Sequence, residues 1–220
     1  MLEFKKPEIT DKQWVNDCLV HANSMNCEYT FGNLFIWSSA YSTEICRYKD
    51  FLICRWGKDD DINYSLPLGE GDFTDAVSAI IEYAKSNGET PVIYGITEGY
   101  LGLMQEAFTG KFTYKYDEGN NDYIYSTEKM ASLSGKKYHG KRNHITNFKK
   151  NNPDWSFEKI SKDNINECLA LHSKWIENKD PDDEDYSWEF EAVKKAFEYF
   201  DELDMVGGLI RVNGEVIAYT

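Results

Sequence analysis

The order of the predicted strands and helices is the feature that most constrains the fold of this 220-residue chain. The first part of the sequence predicts the order β-α-α-β-β-β-α-β-α-β-β. Its clearest helix is "DFTDAVSAIIEYAKSNG", which Asp72 or Thr74 can cap at the amino terminus and Gly88 can close. The apolar residues of that helix recur at helical spacing, at Ala76, Ile80, Ile81 and Ala84.

Turn and capping signals place the other elements of this first part. We predict a short strand over residues 2–6, a helix that Thr30 caps, and a hairpin that turns at Lys49-Asp50. "PVIYGI" predicts a buried strand. "KFTYKY" and "DYIYS" predict two further strands, on either side of the turn "DEGNN".

After a basic stretch, the same order begins again. "WSFEKI" predicts a strand, "DNINECLALHSKWIE" and "SWEFEAVKKAFEYF" predict two helices, and a hairpin turns at Asn213-Gly214, a pair typical of type I′ turns. This is the element order of the acyl-CoA N-acyltransferase (GNAT) fold, so we expect an α+β protein of tandem GNAT-like units. The first unit is expected at residues 1–126, a helical basic linker at 127–152, and the amino-terminal part of a second unit at 153–220, incomplete at Thr220.

Charge and cysteine content narrow the functional classes. A formal net charge of −14 repels nucleic acid and anionic lipid overall, so such a partner must be met at a local basic patch. Five scattered cysteines without metal-ligand spacing predict reduced thiols and no metal site. The charged start of the sequence and the lack of an apolar run of roughly 20 residues predict a cytoplasmic protein without a signal peptide or a transmembrane segment.

Three stretches carry a resemblance to a known family: "CEYTFGNLFIW", "DYIYSTEKMASLSGKKYHGKRNHITNFKK" and "GGLIRVNGEVIAY". They resemble the DUF2156 family, which includes the C-terminal domain of phosphatidylglycerol lysyltransferase. The resemblance covers essentially the whole chain and implies two GNAT-like units joined by a helical linker. It also implies transfer of an aminoacyl group to an amine or hydroxyl. Aminoacyl-tRNA or acyl-CoA would be the co-substrate, a small molecule or lipid headgroup the acceptor, and no cofactor would be bound permanently.

The basic segment, residues 135–150, is the main candidate site. Its sequence "GKKYHGKRNHITNFKK" holds six Lys or Arg, and no acidic residue occurs from Lys129 to Pro153. Arg142 could hold a phosphate through two N–H groups. Further positive charge for a donor phosphate or tRNA would come from Lys136, Lys137 and Lys141.

Three rings in the basic segment are expected near the donor or acceptor, and Tyr138 or His139 could stack on an unpaired base. These are Tyr138, His139 and His144. The alternative is a solvated linker helix that pairs with the acidic run "DPDDED" at residues 180–185, and such exposed pairs contribute little stability.

The loop "LPLGEGDF" stands where a GNAT unit binds the acyl-CoA pyrophosphate on backbone N–H groups. Gly69 and Gly71 fit that role, but Glu70 and Asp72 place carboxylates where the pyrophosphate would lie. We therefore expect a plain turn in which Asp72 caps the next helix. The first unit would then serve as a scaffold or bind the acceptor.

The stretch "NCEYTFGNLFIW" is the second candidate site. Glu28 could act as a general base or bind a cationic acceptor, with Tyr29 and Asn33 beside it. Alternatively, Glu28 complements a helix dipole. His172 is expected to be a core or boundary residue, and no pattern identifies a catalytic residue. The sequence thus favours an aminoacyl or acyl transferase, with a non-catalytic GNAT-like binding module and an acyl-CoA-dependent N-acetyltransferase as alternatives.

Overall fold

The computed structural model describes residues 1–59, 61–177, 179 and 184–220. The chain forms two compact units, Met1–Glu118 and Gly119–Thr220, and each has its own sheet and core. Both units combine helices with an open sheet, which confirms the predicted α+β class. The predicted linker at residues 127–152 stays a prediction.

The first unit begins with a 3₁₀ turn at Ile9–Asp11. Its further elements, in chain order, are α1 (Lys12–Ala22), α2 (Phe31–Ile36), β1 (Glu44–Tyr48), β2 (Phe51–Trp56), β3 (Asn63–Ser65), β4 (Leu68–Gly69), α3 (Phe73–Ser86), β5 (Val92–Tyr94) and α4 (Glu98–Ala107). Thr30 caps α2 and Asp72 caps α3, each by accepting a hydrogen bond from a backbone N–H three residues later. Both caps were predicted.

The sheet of the first unit joins β1, β2, β3 and β5 in that order, and β4 also pairs with β2. β2 is antiparallel to its neighbours, whereas β3 and β5 are parallel. Ile80 and Ala84 of α3 pack against the sheet, while Val77 of α3 packs against Met104 and Phe108 near the end of α4. Ile80 and Ala84 belong to the predicted apolar stripe of α3, whereas Val77 was not predicted, and burial of both groups stabilises the unit.

Several strand predictions for the first part of the chain are wrong. Residues 2–6 make one bridge, in which Lys5 and Ile45 exchange hydrogen bonds of 3.0 and 2.7 Å. β5 forms as predicted but is not buried. It ends the strand order of the sheet, and Val92 is 44% and Tyr94 45% exposed. Residues 111–117 and 121–126 form no strand, since neither segment pairs with another strand within the described residues.

The second unit contains 3₁₀ turns at Glu118–Asn120, where the two units meet along the chain, and at Lys136–Tyr138. Its helices and strands are α5 (Thr127–Ser132), α6 (His139–Asn151), β6 (Ser156–Lys159), α7 (Ile165–Ile176), α8 (Glu184–Glu198), β7 (Gly208–Val212) and β8 (Glu215–Tyr219). The sheet has the order β6-β7-β8 and is antiparallel. Asn213 and Gly214 turn the predicted hairpin with φ of 52° and 80°. The side chains of the acidic run at 180–185 lie outside the described part of the chain.

The core of the second unit forms between the sheet and α7. Ile160, Cys168 and Leu209 are buried there. His172 is 7% exposed, which confirms the prediction of a core or boundary histidine. Its Nδ1 lies 3.0 Å from the hydroxyl of Tyr219, and its ring stacks on Phe190 with 5.7 Å between centroids.

Candidate functional site

The basic segment begins with a left-handed residue and continues as helix. Gly135 has φ of 90°, a conformation that glycine adopts without steric cost. The 3₁₀ turn follows and leads directly into α6. Lys136, Lys137 and Lys141 are exposed, and among the described residues none of them has an ion-pair partner. Their three ammonium groups therefore face solvent at the start of this helix.

Arg142 attaches the basic segment to the end of α5. Its Nη1 donates to the carbonyl oxygen of Leu133 and, at 2.9 Å, to that of Gly135. Carbonyl groups at a helix carboxyl terminus lack helical partners and carry partial negative charge, so a guanidinium satisfies them. Arg142 thus supports the fold of this region. A phosphate contact by Arg142 stays a prediction and would use its other N–H groups.

Of the predicted ring residues, Tyr138 lies directly before α6, and His139 and His144 lie within it. Tyr138 is half-buried at the junction of the 3₁₀ turn and α6, and His139 lies at the first position of the helix. Nε2 of His139 is 3.2 Å from the side-chain amide of Asn143. His144 is exposed and lies more than one turn further along. Tyr138 and His139 therefore adjoin Lys136 and Lys137 in the chain, and His144 lies three residues after Lys141, a spacing that makes these two side chains neighbours on the helix surface.

In the first unit, Glu28, Tyr29 and Asn33 lie around the turn that precedes α2. The N–H of Glu28 donates to Oδ1 of Asn26 at 2.8 Å, and the Asn33 amide donates to the carbonyl oxygen of Cys27 at 3.1 Å. These bonds fix the turn. They leave the Glu28 side chain exposed and direct the Tyr29 side chain inward.

Tyr29 reaches the residue that follows β5. Its hydroxyl lies where a Cβ at Gly95 would stand, and Gly95 has φ of 83°. Burial raises the pKa of Tyr29 well above its usual range, and the neighbouring Cys54 and Glu28 add to that rise. Tyr29 therefore stays protonated at neutral pH and can donate a hydrogen bond. Burial also raises the pKa of Cys54 to about 12, which excludes it as a thiolate nucleophile.

The glycine-rich loop before α3 is filled by the protein's own groups. Gly69 is required because a Cβ there would overlap the carbonyl oxygen of Asp50. Asp72 accepts from the N–H of Asp75 at 3.0 Å, and the Asp75 carboxylate accepts from Lys49 Nζ at 2.7 Å. Carboxylates thus occupy the amino terminus of α3, where an anionic ligand would otherwise bind.

Two features of the second unit were not predicted. The contact of Arg142 with Leu133 has no local sequence signal. Tyr123 and Tyr125, which precede α5, are 88% and 57% exposed. The alternation of "DYIYS" favours a strand, so the sequence did not indicate that these two rings are exposed. The available signal was their position, directly before the acid-free part of the chain.

Neither a group of metal ligands nor a membrane-spanning helix is found among the residues that the structure describes. There, no three or more His, Cys, Asp or Glu side chains are grouped so as to hold a metal ion. No helix in that part of the chain combines the length and apolar character that crossing a bilayer requires.

Comparison with known proteins gives a family and a fold. The family "Phosphatidylglycerol lysyltransferase, C-terminal" matches residues 21–220. A crystal structure of a conserved protein of unknown function from Bacteroides thetaiotaomicron VPI-5482 is 29% identical, with a TM-score of 0.94 over 100% of this chain and 75% of that one. No curated protein matches.

A second solved structure supports the fold alone. It is the C-terminal domain (DUF2156) of a putative lysylphosphatidylglycerol synthetase from Agrobacterium fabrum, which is 14% identical with a TM-score of 0.58. The match covers 96% of this chain and 61% of that one.

Proposed function

The chain belongs to the phosphatidylglycerol lysyltransferase C-terminal (DUF2156) family, and from this membership we propose that it transfers aminoacyl groups with aminoacyl-tRNA as the donor. The observation that carries the choice of donor is the basic segment. Within a chain of net charge −14, it presents Lys136, Lys137 and Lys141 without a described acidic partner. Ammonium groups in that state are available to phosphates.

Both units are proposed to have the GNAT-like fold. Element order supports this: the bridge at Lys5, α1, α2, β1 and β2 of the first unit correspond to β6, α7, α8, β7 and β8 of the second. The pairing corresponds as well, because Lys5 pairs with β1 as β6 pairs with β7, both antiparallel. In the first unit β3 then pairs in parallel with β5, and the short β4 pairs with β2.

The proposed reaction is direct transfer from an ester. The nitrogen or oxygen of the acceptor attacks the aminoacyl carbonyl carbon and forms the new bond. The ester C–O bond breaks, and the terminal ribose oxygen of the tRNA leaves with the proton that the acceptor loses. Catalysis then requires positioning of the two reactants and stabilisation of the developing oxyanion by N–H groups.

We assign donor binding to the basic segment, with Lys136, Lys137 and Lys141 on phosphates and Tyr138, His139 and His144 nearer the transferred group. Arg142 would both support the segment and add charge. Acceptor binding is assigned to Glu28, Tyr29 and Asn33 of the first unit, for a small molecule or a lipid headgroup. Tyr29 would donate a hydrogen bond to it, because a phenol is protonated at neutral pH.

One observation favours a second candidate, a GNAT-like binding module without catalysis. The amino terminus of α3 is occupied by Asp72 and by the Asp75–Lys49 pair, so the first unit lacks a free pyrophosphate site there. The same observation argues against an acyl-CoA-dependent N-acetyltransferase at this unit.

A transfer assay tests the proposal. The chain is incubated with tRNA charged with radiolabelled amino acids and with a total bacterial extract of lipids and polar metabolites as the acceptor pool. We expect label to leave tRNA and enter an extractable product. The Lys136→Ala, Lys137→Ala, Lys141→Ala variant should lose this activity. Binding of tRNA without transfer would favour the binding module, and neither binding nor transfer would contradict the proposal.

A further inference from the structure

We infer that Tyr123 and Tyr125 form a stacking site for unpaired nucleotides of an RNA ligand. The inference rests on the proposed function, because it extends the RNA contact beyond the basic segment. It assigns affinity to two residues whose side chains carry no charge.

The exposure of the two rings is the first observation. Tyr123 is 88% exposed, Ile124 68% and Tyr125 57%. Folding normally removes rings of this size from water, because their apolar surface is large. Within the described residues, neither tyrosine packs on another aromatic ring or on a cation. Both side chains thus present surface to solvent that a ligand could contact.

The local backbone keeps the two rings together. Ser126, directly after Tyr125, has φ of −67° and ψ of 123° and caps α5 by accepting from the N–H of Lys129. The cap fixes the end of the segment. Two residues of backbone span at most about 7 Å, so the rings of Tyr123 and Tyr125 can contact one short stretch of ligand.

The basic segment is attached to the same helix. Arg142 bonds the carbonyl oxygens of Leu133 and Gly135, which ties the end of α5 to the start of α6. The rings lie directly before α5 and the lysines follow its end, so both belong to one continuous stretch of chain, residues 123–141. Aromatic stacking combined with a positively charged track is how single-stranded nucleic acid is bound without sequence preference.

The local chemistry favours RNA over an anionic bilayer. Residues 121–126 form neither helix nor strand. Their backbone polar groups would lose water on insertion into lipid, whereas stacking on a nucleotide leaves the backbone solvated. Asp122 and Glu128 also flank the rings. A flexible single strand can pass around two carboxylates, but a flat anionic surface meets them together with the tyrosines.

The experiment measures affinity for a labelled single-stranded RNA of about 12 nucleotides, within the site sizes of single-strand binders, by fluorescence anisotropy over a salt series. The Tyr123→Ala, Tyr125→Ala variant should bind about 5- to 150-fold more weakly for each ring removed. The dependence of affinity on salt should stay unchanged, because no phosphate contact is removed. The Tyr123→Phe, Tyr125→Phe variant should bind like the native chain, since it keeps both rings. Tyr41→Ala removes an exposed ring of the first unit and should also have no effect.

Each other outcome has a separate meaning. Equal RNA affinity of the native chain and the double alanine variant would overturn the stacking site and leave the proposed function standing. Failure of the native chain to bind either this RNA or tRNA would contradict the proposed function itself. Binding of the same variants to vesicles that contain phosphatidylglycerol is measured in parallel. Loss of vesicle binding in the alanine variant, with RNA affinity unchanged, would overturn the inference in favour of a bilayer surface.

Discussion

The hydroxyl of Tyr29 occupies the space beside Gly95 in which any other residue would place its Cβ. Gly95 follows β5 with φ of 83°, and Tyr29 comes from the turn before α2. The contact therefore fixes the candidate acceptor turn against the parallel strands of the first unit. It makes the glycine a requirement of both packing and backbone conformation.

Gly95→Ala is expected to destabilise the first unit by about 1–3 kcal/mol, from steric overlap and from the left-handed backbone. In a Tyr29→Ala background the steric overlap is absent, so Gly95→Ala should destabilise only through the left-handed backbone at residue 95. Urea unfolding of the four chains of this double-mutant cycle measures the coupling. Gly110→Ala is the matched control, because Gly110 is also left-handed, with φ of 71°, and a Cβ there meets nothing within 4 Å. Equal destabilisation in both backgrounds would show that Tyr29 does not restrict residue 95.

His172 and Tyr219 form a polar pair in the second unit. The loss of stability should differ between replacing one partner and replacing both. Nδ1 of His172 meets the Tyr219 hydroxyl, whereas Nε2 is buried without a hydrogen-bond partner among the described residues. Tyr219→Phe should lower the free energy of unfolding by about 1–3 kcal/mol, because it leaves a second buried ring nitrogen unsatisfied.

The double variant His172→Phe, Tyr219→Phe should be close to native stability, since it removes both polar partners and the unsatisfied nitrogen. Urea unfolding of the single and double variants gives the comparison. A double variant less stable than Tyr219→Phe alone would contradict this account of the pair.

Asp11 gives the first unit a predictable response to acid. Burial acts to raise the pKa of Asp11, but hydrogen bonds from the Trp14 indole, the Glu8 N–H and Lys5 outweigh it and lower the pKa. A carboxyl group with a lowered pKa stabilises the fold above the unfolded-state pKa, and this contribution disappears as pH falls through the folded-state pKa. Stability should therefore decline below about pH 4, the ordinary range of an aspartate.

Asp11→Asn should lower stability at pH 7 by about 1–3 kcal/mol and flatten this acid dependence. Thermal unfolding between neutral and acid pH measures both effects. Asp17→Asn, at an exposed position on α1, is the control. An unchanged acid profile in Asp11→Asn would show that other carboxyl groups determine it.

Arg142 should act on the α5–α6 connection even in the absence of a ligand. Arg142→Ala removes the donor to the Leu133 and Gly135 carbonyls, so backbone amides of residues 127–138 should exchange hydrogen faster. Lys141→Ala removes one neighbouring charge without that bond and should leave exchange unchanged. Equal exchange in the two variants would contradict the supporting role of Arg142.

Local signals predicted those elements whose cause is local. Thr30 and Asp72 cap helices with side chains that bond backbone three residues away, and Asn213-Gly214 supplies the positive φ that its turn requires. Such interactions join residues that are only a few positions apart in the sequence, so a short stretch is enough to predict them. The α+β class could be predicted for the same reason.

The predictions failed where the local structure depends on a residue or strand that is distant in the sequence. Residues 111–116 and 122–126 have the composition of strands, but strand formation needs a neighbouring strand, and none pairs with them in the described part of the chain. The contact between Tyr29 and Gly95 likewise depends on the sheet that brings them together. For the candidate site, the lysines were predicted as a group, while the exposed rings of Tyr123 and Tyr125 were hidden by the mistaken strand.

The measurement that tests the central claim most directly is tRNA binding over a salt series, with the native chain beside the Lys136→Ala, Lys137→Ala, Lys141→Ala variant. If the three ammonium groups bind phosphates, the variant should bind more weakly. Its slope of log affinity against log salt should be shallower by about 2, at roughly 0.7 for each phosphate that the variant no longer neutralises. The matched control removes three exposed lysines of the first unit, Lys6, Lys58 and Lys85, and should bind like the native chain. Equal slopes for all three chains, or no tRNA binding by the native chain, would contradict the account.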